Sequence, residues 1–132
     1  MQPLRARWHD GLSVGNATID AQHEQILAQC EVLAELCAVD GGNSSADPAF
    51  TAAYEQLMTL ARAHFATEEA LLAAAAFADL ESYHHEIGEF AYLANQIATT
   101  ENFDKIELQR FLAMWWVGHL ASTLKNKDPY RA

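Results

Sequence analysis

The chain has 132 residues, 51 % of them hydrophobic, and a formal net charge of -10. That is enough chain for one domain with its own core, residues 1–132, and too much apolar content for disorder. The negative charge argues against nucleic acid and anionic membrane surfaces as partners, since both are met by positive charge.

The opening segment, MQPLRARWHDGLSVGN, has arginines but no apolar run behind them, so no secretory signal is expected. Residues 1–16, with Trp8 and Gly15, read as an N-terminal arm. A first helix is expected over about 17–38, capped by Asn16 or Thr18. Ile19, His23, Ile26, Cys30, Leu33 and Cys37 follow one another by four and three residues, which is a helical core stripe. Cys30 and Cys37 are about 10 Å apart on that helix, too far for a disulfide, so reduced packing cysteines in a cytoplasmic protein are expected.

Val39 to Asp47 reads as a loop. A second helix, about 48–76, starts with Asp47 as cap and Pro48 in its first turn. Its stripe is Phe50, Tyr54, Leu57, Ala61, His64, Glu68, Leu71 and Ala75. A third, about 79–99, carries Leu80, Tyr83, Ile87, Phe90, Ala94 and Ile97. A fourth, about 104–125, carries Leu108, Leu112, Trp115, His119 and Ser122. Asp128-Pro129 is expected to end the ordered chain. No apolar run reaches the roughly 18 residues that span a bilayer. The fold class is therefore all-α, an up-down-up-down antiparallel four-helix bundle with an N-terminal arm.

His23, His64, Glu68 and His119 stand on stripes that should be apolar. A buried carboxylate among buried imidazoles is costly unless something compensates it, and a metal ion does so with its natural ligands. His64 and Glu68 are one turn apart and present two donor atoms to one ion. His23 is expected opposite His64 across an antiparallel pair, and His119 opposite His64 across another pair taken as antiparallel. His9, His84 and His85 are expected at the surface, Glu69, Glu81, Glu86 and Glu89 on a solvated acidic face, and Trp8, Trp115 and Trp116 in packing.

With these residues in view, the chain resembles the bacterial hemerythrin-like domain. The matching pieces are Trp8, SVG at Ser13 to Gly15, IDAQH at Ile19 to His23, HFATEE at His64 to Glu69 and WWVGH at Trp115 to His119. The resemblance implies a four-helix bundle holding two oxo-bridged irons that bind oxygen reversibly. It makes His23 and His64 ligands of one iron, Glu68 a bridging carboxylate and His119 a ligand of the other. The family also expects HxxxH on the third helix and an aspartate five residues beyond the last histidine. Those places hold Tyr83, Ile87 and Leu124 here. A competing alignment, shifted by two residues, puts His85 and Glu89 in the third-helix slots.

The ligands that remain suit one ion better than two: His23, His64, Glu68 and His119, as iron or as zinc. Tyr83 joins the candidates as a phenolate on a ferric ion, or else fills space a lost metal left. Three functions stay open: a metal protein binding dioxygen or a related small ligand, or sensing or storing iron; an oxidase or peroxide-consuming enzyme; and a metal-free interaction bundle. Metal content separates the third from the others, and counted turnover of peroxide separates the second from the first. Oligomeric state is left open.

Overall fold

A computed structural model describes residues 2–39, 47–100 and 103–131. Four helices follow one another: α1 (Ala17–Val39), α2 (Pro48–Ala74), α3 (Leu80–Thr99) and α4 (Lys105–Lys125). Short 3-10 turns at Asp10–Leu12 and Asp128–Tyr130 flank them, and the described residues contain no strand. Most of the loop expected before Asp47 lies outside the described residues.

The caps follow from the sequence. Asn16 Oδ1 accepts from the Ile19 amide at 3.1 Å, Asp47 accepts from the Ala49 amide ahead of Pro48, and Asp104 accepts from the amides of Ile106 and Glu107. Helix α2 stops at Ala74, two residues short of expectation. Ala76 takes a left-handed φ of 54°, and the Phe77 amide turns back to the Leu72 carbonyl at 3.0 Å. This is a helix-terminating reversal in the position where glycine is usual.

Helices α2 and α4 run parallel, not antiparallel as expected. Lys105, at the start of α4, bonds Asp47, at the start of α2, at 3.4 Å, and further along the same two helices His64 meets His119 at 3.3 Å. Each histidine sits roughly 20–25 Å into its helix at 1.5 Å per residue. Equal depth in parallel helices, and not reversal, is what brings them level.

The α1 and α3 stripes stand as read, with Ile19, His23, Ile26, Cys30, Leu33, Cys37, Tyr83, Phe90 and Ala94 all buried. Two stripes drift by one residue. Leu72, not Leu71, is buried in α2, and Ala75 is exposed; Trp116 and Thr123, not Trp115 and Ser122, are buried in α4. The chain also stays packed past Pro129, because Tyr130 is buried.

One buried amide on α4 ties down the start of the arm. Gln109, buried on α4, accepts from the Leu4 amide and donates to the Leu4 carbonyl, both at 2.7 Å, and also reaches the Cys30 carbonyl. Two apolar clusters result. The larger includes Ile26, Leu33, Leu57, Ala61, Phe90, Leu112 and Trp116. The smaller includes Val14, Ile19, Leu72, Tyr83 and Tyr130. Along α1 and α2 the polar residues His23, His64 and Glu68 fall between members of the two, so a polar layer separates two apolar ones.

Candidate metal centre

His23, His64, Glu68 and His119 converge in that layer, with one donor atom from each lying within 4.8 Å of every other. His23, His64 and Glu68 have 0 % exposure and His119 has 5 %. Glu68 Oε2 is 3.2 Å from Nε2 of His64 and 3.2 Å from Nε2 of His119. The two Nε2 atoms are 3.3 Å apart. Atoms bound at about 2.1 Å to one ion lie roughly 3.0–3.4 Å apart as adjacent ligands. The three measured distances match those edges. The His23 ring stands 4.6 Å from that of His64 and completes the set.

Two features show that the residues fit a cation. Neither ring nitrogen of His23 has a hydrogen-bond partner, and neither does Glu68 Oε1. Orphaned buried polar groups cost about 1–3 kcal/mol each, so such a concentration in one layer asks for a ligand. The second feature is the tautomer of His64. The Thr67 hydroxyl donates to the Ala63 carbonyl, so it must accept from Gln22 Nε2 at 3.0 Å. That fixes the Gln22 amide with Oε1 facing His64 Nδ1 at 2.9 Å. An amide oxygen only accepts, so Nδ1 carries the proton and Nε2 presents a bare lone pair to Glu68 and His119.

The electrostatics agree. Burial, reinforced by His64 and His119, lowers His23 from 6.5 to about 3, so it is neutral. Burial also lowers His64, with Glu68 opposing. At Glu68 burial pushes the pKa up, but the adjoining His119 and His64 outweigh it and hold the group below the usual carboxylate range. A neutral His23 beside an ionised Glu68 is the protonation state a metal requires.

Aromatic rings wall the layer. Trp115 stacks on His119 at 5.1 Å with an interplanar angle of 11°, and Trp116 meets His64 edge-on at 5.6 Å. Trp8 is half-buried against the larger apolar cluster. Tyr83 is buried beside Glu68, and its hydroxyl donates to the Phe65 carbonyl at 3.3 Å. Burial first, and Glu68 next, raise its pKa well above that of a free phenol.

The competing register fails. His85 and Glu89 pair with each other in solvent, their side chains 82 % and 61 % exposed. His9 and His84 are exposed too, with His84 against Glu69 at 3.1 Å. Glu81 and Glu86 are likewise exposed. Ile87 and Leu124 instead pack with the smaller apolar cluster. Two of the three missing ligand positions thus carry hydrocarbon side chains. Two residues of the site lay outside the sequence reading. Gln22 was signalled only by its place next to His23, and Tyr130 by nothing periodic at all.

Residues 14–123 match the family model described as the hemerythrin HHE cation binding domain. The chain belongs to that family, and the match and the buried histidine and glutamate cluster together point to metal binding. Neither a curated protein nor a solved structure matches it. No helix among the described residues is long and apolar enough to cross a membrane.

Proposed function

We propose that this domain holds a single iron ion through His23, His64, Glu68 and His119, and that the ion binds dioxygen or a related small ligand. The observation that carries the reading is the buried His23, both ring nitrogens without a partner, facing His64 across 4.6 Å. Iron in a setting of histidines and one carboxylate supplies Lewis acidity, one-electron redox chemistry and open positions for a ligand.

The chain's own residues do the rest. Gln22 orients His64 and keeps its Nε2 bare. Trp115 fixes the His119 ring plane by stacking. Glu68 brings the negative charge that offsets a divalent ion. Ile87 and Leu124, packed in the apolar cluster, favour one ion over two. The three-nitrogen, one-oxygen set is equally acceptable to zinc in a tetrahedron. Tyr83 is the fifth candidate: it would hold ferric iron as a phenolate only by giving up its bond to Phe65 and its proton, and a visible phenolate band would report that. The buried cysteines Cys30 and Cys37, not joined in a disulfide, suit a reducing, cytoplasmic setting.

His64→Ala is expected to lose most of the bound metal by elemental analysis and to lower the melting temperature. Unchanged metal content in that variant contradicts the site.

A further inference from the structure

A cavity of about 160 Å³ opens beside His119. Its floor is buried: Leu72, Tyr83, His119, Thr123 and Tyr130. Its mouth is exposed and polar, with Asp79, Ser82 and Glu86 on one side and Ser122 and Asn126 on the other. Such a volume accommodates a molecule up to about the size of benzene. Tyr130 is present because the chain turns back through Asp128–Tyr130 to pack on the smaller cluster. Without that turn the floor is open.

The charge on this passage has one sign. Asp79 and Glu86 line the mouth, and Glu68 lies behind Tyr83 and Tyr130 at the floor. Apart from His119, no basic side chain lines it. Lys125 and Lys127 line an adjoining groove that shares Phe77 and Asn126 with the cavity, and neither lysine lines the cavity itself. The hydroxyls of Ser82, Ser122 and Tyr130 both donate and accept, and so serve a neutral polar guest of either sense. An anion gains no opposite charge on the way in and meets like charge at the mouth.

We infer that this cavity is the route to the metal and selects neutral hydrogen-bonding molecules over anions, with Glu86 and Asp79 as the selecting groups. The inference rests on the metal reading above. Asp79 makes no capping hydrogen bond and Glu86 is exposed, so replacing them leaves the fold intact.

The test loads the full chain with cobalt(II) and follows its visible spectrum at pH 8 during titration with azide, an anion, and with imidazole, largely neutral there. The double variant Asp79→Asn, Glu86→Gln is expected to bind azide about tenfold more tightly and imidazole unchanged within about twofold. Ser122→Phe, at the mouth, is expected to weaken both probes while cobalt stays bound. Equal changes for both probes, or none for azide, overturn the selection. Undiminished access in Ser122→Phe overturns the route. Failure to take up cobalt at all overturns the metal reading itself, and the cavity's role with it.

Discussion

Replacing His23 by leucine should have opposite effects on the metal-free and metal-loaded protein. His23 is fully buried and neither ring nitrogen finds a partner. At about 1–3 kcal/mol for each unsatisfied group, the two cost ~2–6 kcal/mol in the metal-free state. Leucine removes both and has nearly the right volume, with imperfect repacking returning up to about 1.5 kcal/mol. The metal-free variant should therefore be more stable than the parent by ~2 kcal/mol. With an unfolding entropy of about 2.1 cal/mol/K per residue, that raises Tm by roughly 7 °C for a chain of this length. Metal at about a thousand times Kd adds about 4.1 kcal/mol to the parent and nothing to a variant that no longer binds it, so the order of the two melting temperatures reverses. Thermal unfolding followed by circular dichroism, with and without chelator, reads both. A chelated variant that melts several degrees below the chelated parent refutes the reasoning, because His23 would then have been satisfied without metal.

Gln22→Leu removes the acceptor that fixes the His64 tautomer and should weaken metal binding about 10- to 100-fold in a competition titration, with little change in helix content. The metal-free protein should lose stability as pH falls from 6.5 toward 3. His23 stays neutral when folded down to about 3, whereas unfolded it takes up a proton near 6.5. The resulting loss is absent above 6.5 and reaches up to ~5 kcal/mol by 3, as urea midpoints across that range would show. Asp47→Ala removes both the α2 cap and an ionic partner of the buried Lys105. It should cost ~2–4 kcal/mol in urea unfolding and leave metal stoichiometry unchanged. Ala76→Gly relieves the left-handed residue at the end of α2 and should raise stability by ~1 kcal/mol.

Periodicity carried the fold because four helices each repeat their apolar step several times. His23 between Ile19 and Ile26, and His64 with Glu68 below Ala61, were legible as core positions for that reason. Where two adjacent residues are both apolar, as at Leu71 and Leu72 or Trp115 and Trp116, the period cannot choose between them, and tertiary packing took the second of each pair. Helix direction was a different failure. A stripe gives a face and not an orientation, so the meeting of His64 with His119 was expected for the wrong reason. Gln22 and Gln109 act through single hydrogen bonds, which leave no pattern along the chain. Tyr130 follows a proline that reads as a terminator, and a three-residue turn has no period to detect. The third-helix register was settled by hydrophobicity, since burying Glu89 would have turned Phe90 to solvent.

The most direct test is the number of iron ions per chain after anaerobic reconstitution with excess ferrous iron and removal of what is loosely bound. One ion per chain is the expected result, lost in His64→Ala. Two ions per chain would contradict the single site and require ligands that Ile87 and Leu124 do not supply. None, with zinc equally rejected, would contradict metal binding by these four residues.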